Sequence, residues 1–178
     1  MRKISIKNII LTVVVFVLFF VIIILVADKS VPRSRARDAR RVSDVRQIEL
    51  ALQLYYAAHL QYPDASTSSL LSLVTEGFLN MSILPTDPIS SNSYCYAVGK
   101  DLTLEIGKQR QYYHVGAKLE HKNSDMMTQD ADNNTQNSAD IVWAWNQSPD
   151  CETNPANSNF DGTDSKKSPI YDRGIFPK

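Results

Sequence analysis

From Ile9 to Ala27 the chain is a run of apolar side chains that only Thr12 interrupts. At 1.5 Å rise per residue, such a run forms a helix roughly 28 Å long, close to the thickness of a bilayer's hydrocarbon core. A surface helix of a globular domain keeps a polar stripe, and this segment has none. The run therefore reads as a transmembrane anchor over residues 9–27, with residues 1–8 as a cytoplasmic N-terminus. It continues to Val26-Ala27-Asp28-Lys29 without a small-x-small cleavage site, so the anchor is expected to stay uncleaved.

A basic juxtamembrane linker, residues 28–41, follows. Pro32 removes a backbone donor and disfavours helix at Val31, which predicts a break or kink there. Beyond it, Val42, Val45, Ile48, Leu52 and Tyr55 recur at three- and four-residue steps, with Ala51 and Tyr56 widening the stripe. Arg41, Asp44, Arg46 and Glu49 fall elsewhere on the wheel. This spacing predicts a long amphipathic helix with one buried face about five turns long.

The stretch from Arg37 through Val42, Ile48 and Leu52 to Tyr55-Tyr56, then Tyr62-Pro63, resembles the helix of type IV pilin-like proteins. The nearest likeness is to the major pseudopilin of type II secretion. Further matches follow in order: a short helix over Leu70 to Phe78, the Leu84-Pro-Thr-Asp-Pro88 turn, the Tyr94-Cys-Tyr96 strand, and Ala139-Asp-Ile141. The family's peptidase site, a glycine with a glutamate shortly after it, has no counterpart in Lys7-Asn-Ile-Ile-Leu-Thr12. The resemblance implies an α+β fold in which the N-terminal transmembrane helix and the long amphipathic helix lead into a small antiparallel β-sheet. It also implies an ectodomain over residues 42–145. In the family an acidic loop binds calcium, and the resemblance assigns that role to Asp132 and Asp140, with Asp130 as a further ligand. A hard cation wants six to eight oxygens, and carboxylates beside Asn133 and Asn134 suit it chemically. Asp161-Gly-Thr-Asp164 is a second, weaker candidate.

Formal charge is zero, yet residues 1–50 carry ten Lys/Arg against four Asp/Glu, and the remainder nine against fifteen. An acidic distal part argues against nucleic acid, whose phosphates need a positive face. Anionic lipid headgroups suit the basic part. A Lys/Arg count around the anchor would put the C-terminal part in the cytoplasm. The resemblance puts it outside, as does the reading of Cys95 and Cys151 as one disulfide in an oxidising compartment. Two buried thiols are the alternative for that pair.

Downstream, strands are expected at Tyr94 to Val98, Leu102 to Ile106 and Gln111 to Leu119, with Trp143 and Trp145 as core or rim anchors. Residues 146–178 read as a polar extension tied down by Cys151, with Phe160 and the Ile175-Phe-Pro ending able to dock. His59, His114 and His121 are scattered, and no nucleophile or metal-binding spacing is present, so no enzyme and no small-molecule substrate are expected. The implied function is a non-enzymatic subunit or accessory component of a type IV pilus or type II secretion apparatus. Its partners would be the bilayer and other pilin-like subunits or envelope proteins. The other reading is a surface-tethered binding or adhesion module that does not polymerise. Both readings place it as a single-pass membrane protein with an extracytoplasmic C-terminal domain.

Overall fold

The computed structural model describes residues 6–26, 30–66, 70–80, 82–121, 126–127, 130–131, 135, 138–146, 148–151, 153–154, 159–162 and 169–177. The chain divides into two compact units, Met1–Arg33 and Ser34–Lys178.

In the first unit, helix α1 spans Ile6–Val26, and Thr12 returns its hydroxyl to the Asn8 carbonyl at 2.8 Å. The large side chains from Ile10 to Ile22 are all exposed. Among the described residues no helix is long and apolar enough to cross a membrane. This corrects the expected anchor over residues 9–27, and with it a fold class built on an N-terminal transmembrane helix.

Helix α2 spans Ser30–His59. It begins before Pro32 rather than after it, because a proline in the first turn of a helix lacks only an N–H that would have no helical partner anyway. From Ser34 onward α2 belongs to the second unit. There Val45, Ile48 and Leu52 are fully buried, Ala51 and Val42 nearly so, and Tyr55 and Tyr56 half-buried. A short helix α3, Leu71–Thr75, ends at Gly77, whose φ of 79° suits a residue without a Cβ.

The sheet is made of β1 (Cys95–Asp101), β2 (Arg110–Lys118), β3 (Ile141–Trp145) and β6 (Ile170–Ile175), in the order β3-β1-β2-β6, every pair antiparallel. A two-stranded ribbon, β4 (Thr153–Asn154) and β5 (Asn159–Phe160), lies between β3 and β6 in sequence. Two differences from expectation have clear causes. Leu102 to Ile106 alternates like a strand but forms the β1–β2 connection. Asp101 accepts bonds from the Thr103 amide and hydroxyl, and a turn closes from Lys108 N–H to Glu105 C=O around Gly107 at φ 95°. Its apolar side chains point to solvent, Ile106 at 96% exposure. The polar C-terminal stretch, in turn, supplies an edge strand that a count of large apolar residues could not reveal.

Period-two alternation divides the strands between two cores. Tyr94, Tyr96, Val98, Tyr113, Val115, Ala117 and Tyr171 pack with the buried stripe of α2. Cys95, Ala97, Ile141, Trp143, Phe160 and Ile170 form a second cluster, against which Tyr112, Trp145, Cys151 and Phe176 pack. The sheet is thus buried on both faces, by α2 on one and by the C-terminal segment on the other. Phe160 reaches its place because Gly116 has no side chain: a Cβ there would stand 2.7 Å from the Phe160 ring.

Candidate functional site

Among the described residues of the second unit, a cluster of charged side chains surrounds Arg41. Helix α2 carries Asp38 and Arg41 one turn apart, and both side chains are buried. The Arg41 guanidinium donates to Asp38 at 2.7 Å, to Asp87 at 2.5 Å and to Glu120 at 2.7 Å. Asp38 also accepts the Glu120 and His121 amides at 2.9 and 3.0 Å. Asp87 is presented by the proline-bounded turn, where its carboxylate caps the Ile89 and Ser90 amides at 2.8 and 3.0 Å. Burial alone would lower the Arg41 pKa, but the hydrogen bonds to Asp87, Glu120 and Asp38 outweigh it and raise it. Burial likewise opposes ionisation of Asp87, yet Arg41 and the two amides hold it down at about 2. Glu120 is held at about 2, chiefly by its bond from Arg37.

Beside this cluster lies a cavity of about 220 Å³, lined by Arg41, Asp87, Ile89, Lys118, Glu120 and Asp150 among others. Ser90 closes one side through its hydroxyl bond to Asp150. Every guanidinium and carboxylate facing it from α2 and the proline turn is already engaged within the protein. The same holds along the rest of α2. Tyr94 donates to Asp44 at 2.8 Å, Arg46 donates to the Tyr171 hydroxyl at 2.9 Å, and Arg173 forms a forked pair with Glu49 at 2.9 Å in both arms. These residues, which a helical wheel assigns to the wet side, are latches from α2 to the strands.

A second constellation lies on the sheet's other face. His114 and Asp172 are fully buried, with imidazole Nε2 2.5 Å from the carboxylate. His114 stacks on Phe160 with centroids 4.1 Å apart and meets the Phe176 ring edge-on at 5.2 Å. Among the described residues its Nδ1 has no hydrogen-bond partner. A neutral ring that donates Nε2–H to Asp172 and leaves a bare lone pair at Nδ1 fits this geometry. An imidazolium would bury a second N–H with no acceptor. Burial pushes the His114 pKa down to about 3, against the pull of Asp161 and Asp130.

The residues singled out from sequence fall as follows. Val42, Val45, Ile48 and Leu52 line the core under α2, with Tyr55 at its margin stacked on His59. Cys95 and Cys151 form a disulfide, with Cα atoms 5.4 Å apart. Of the candidate calcium ligands, Asp132 lies outside the described residues, as does Asp164. Asp130 accepts the Asp172 amide at 2.7 Å, on β6. The Asp140 side chain is exposed, and its carbonyl receives the Leu102 N–H beside β3. β3 and β6 are opposite edges of the sheet, three strand spacings or about 14 Å apart. Asp130 thus lies beside β6 and Asp140 beside β3. Among the described residues no group of three or more His, Cys, Asp or Glu side chains is arranged to hold a metal.

No protein-family model matches the chain, and comparison with curated proteins and with solved structures gives no match either. The resemblance to type IV pilin-like proteins and to the major pseudopilin is therefore not supported. No membrane-crossing helix is found among the described residues. The pilus or secretion subunit, its bilayer and pilin-like partners, and the single-pass localisation are corrected accordingly. The tethered adhesion module rests on the same anchor and fares no better.

Proposed function

We propose that the unit from Ser34 to Lys178 is a non-catalytic structural module, a rigid scaffold whose polar side chains serve to hold α2 and the C-terminal segment against one sheet. The observation that carries this reading is Arg41, buried and bonded to three carboxylates from α2, the proline turn and the end of β2. Asp44, Arg46 and Glu49 support it in the same way, each joined to a group on or beside a strand.

Thermal melting of Arg41→Met and Asp87→Asn tests the reading. Residues kept for binding or catalysis commonly cost stability, so replacing them leaves the melting midpoint unchanged or raises it. Residues that brace the fold behave oppositely. Arg41→Met, which leaves buried carboxylates without their cation, is expected to cost about 3–5 kcal/mol, a fall of roughly 10 °C. An unchanged or raised midpoint in both variants would make the Arg41 cavity a working site and reject the scaffold reading.

A further inference from the structure

We propose that the cavity beside Arg41 is a binding site for an alkylammonium group, whose charged end meets Asp150 while its short carbon chain lies against Ile89 and Leu119.

The charges at this cavity do not balance. Asp38, Asp87 and Glu120 share two guanidiniums, those of Arg37 and Arg41. Asp150 adds a carboxylate to the lining, and Lys118, which is itself engaged, adds a cation. Even with Lys118 counted in full, four carboxylates face three cations. The carboxylate left over is Asp150, which receives the Ser90 hydroxyl and, among the described residues, no cation. A carboxylate has room for about four hydrogen bonds, so one donor leaves places for an ammonium. The same excess of negative charge repels an anion. Ser90 occupies one carboxylate oxygen, which suits an ammonium, a point charge, better than a guanidinium that needs both oxygens for its fork. Among the described residues no group of three metal-ligating side chains is present, so an organic cation fits the charge deficit better than a metal ion.

Size and lining select the rest of the ligand. At about 220 Å³ the cavity is smaller than the roughly 300–1,000 Å³ of sites for drug-sized molecules, so it admits a group the size of a side chain. Leu119 is buried and Ile89 is 60% exposed, so a carbon chain would meet one wall that is already dry and cover another that is now wet. The walls are fixed before a ligand arrives. Asp87 caps the Ile89 and Ser90 amides, and the Ser90 hydroxyl in turn accepts the Asn92 amide. Asp150 stands between Ser148, whose hydroxyl donates to the Ser93 carbonyl, and Cys151, which is bridged to Cys95. Little ordering is therefore left for binding to accomplish. The proposal rests on the scaffold reading, because Arg41, Asp87 and Glu120 are the braced wall against which the ligand sits.

An amide-resolved NMR titration of the full chain with n-butylammonium chloride at pH 7 tests the site. The amides of Ser90, Leu119 and Asp150 are expected to shift saturably, with half-saturation in the millimolar range for so small a ligand. Asp150→Asn keeps the shape and removes the charge, and should weaken binding about tenfold or more. 1-Butanol, which carries the same chain without a charge, should bind the wild-type protein more weakly by a similar factor. An Nα-acetyl-lysine methylamide arm separates the two sources of an alkylammonium group: tighter binding than n-butylammonium assigns the site to a lysine side chain of a peptide, weaker binding to a free amine. Shifts that do not saturate, that persist at equal strength in Asp150→Asn, or that 1-butanol reproduces would overturn the proposal. If the variant does not fold, the comparison with 1-butanol decides on the wild-type chain. The scaffold reading fails separately, by the melting of Arg41→Met without any ligand.

Discussion

One sheet is covered on its two faces by parts of the same chain that differ in kind. On the inner face, α2 offers Val45, Ile48 and Leu52 to a bed of Tyr94, Tyr96, Tyr113, Val115 and Tyr171, and the charged pairs stand at the margins of that contact. On the outer face, the cover is a short ribbon and two phenylalanines, fixed by one disulfide and lying over a buried histidine–aspartate pair that joins two strands of the sheet. The inner contact is long, continuous and apolar, so its stability comes from burying area, which pH barely alters. The outer contact has less to bury, and a covalent bond and a polar pair make up the difference.

The comparison can be sharpened by perturbing each face. The Arg41→Met variant acts on the inner face and is expected to have the largest effect. Next comes removal of the disulfide, by Cys95→Ser with Cys151→Ser or by reduction. With the cysteines 56 positions apart, loop entropy predicts a loss of about 4 kcal/mol. Denaturant melts should show the full loss, and limited proteolysis should cut first in the residues after Cys151. Protection of that segment after reduction would mean that the cover stands without the bridge. Gly116→Ala has a smaller effect on the same face. Its Cβ would press on the Phe160 ring, with the Tyr171 carbonyl at 3.0 Å behind it, at a cost of about 1–3 kcal/mol. The same experiment at Gly77, where the φ of 79° and not crowding is the constraint, separates packing from backbone strain.

The two faces were also unequally legible in the sequence. A helix lying on an apolar sheet must repeat its contacts every three or four residues, so the stripe from Val42 to Leu52 stands out by period alone. The latches do not. Asp38, Arg41 and Asp44 flank that stripe at three-residue steps, and nothing in their type distinguishes a buried pair from a solvated one. Arg41 is nevertheless only 3% exposed. A regular i, i+3 row of alternating charge beside an apolar stripe was the signal available, since such a row falls at the helix's edge. The outer cover was harder. Phe160 stands alone among polar residues, and the strand Ile170–Ile175 holds an aspartate and an arginine that look unsuited to a buried strand until His114 and Glu49 are seen opposite them. Leu102 to Ile106 misled in the other direction, because Asp101 captures the backbone of Thr103 and turns an alternating segment into a loop. The reach of α1 was misjudged by reading a run of apolar letters as a membrane span, whereas the described residues hold no helix that meets the length and hydropathy of one.

Native-state hydrogen exchange of the full chain at pH 7, corrected for intrinsic rates, compares the faces most directly. The account predicts that the β5 amides, Asn159 and Phe160, are protected at least tenfold less than those of α2 from Val42 to Leu52. Equal protection of the two, or stronger protection of β5, would contradict it.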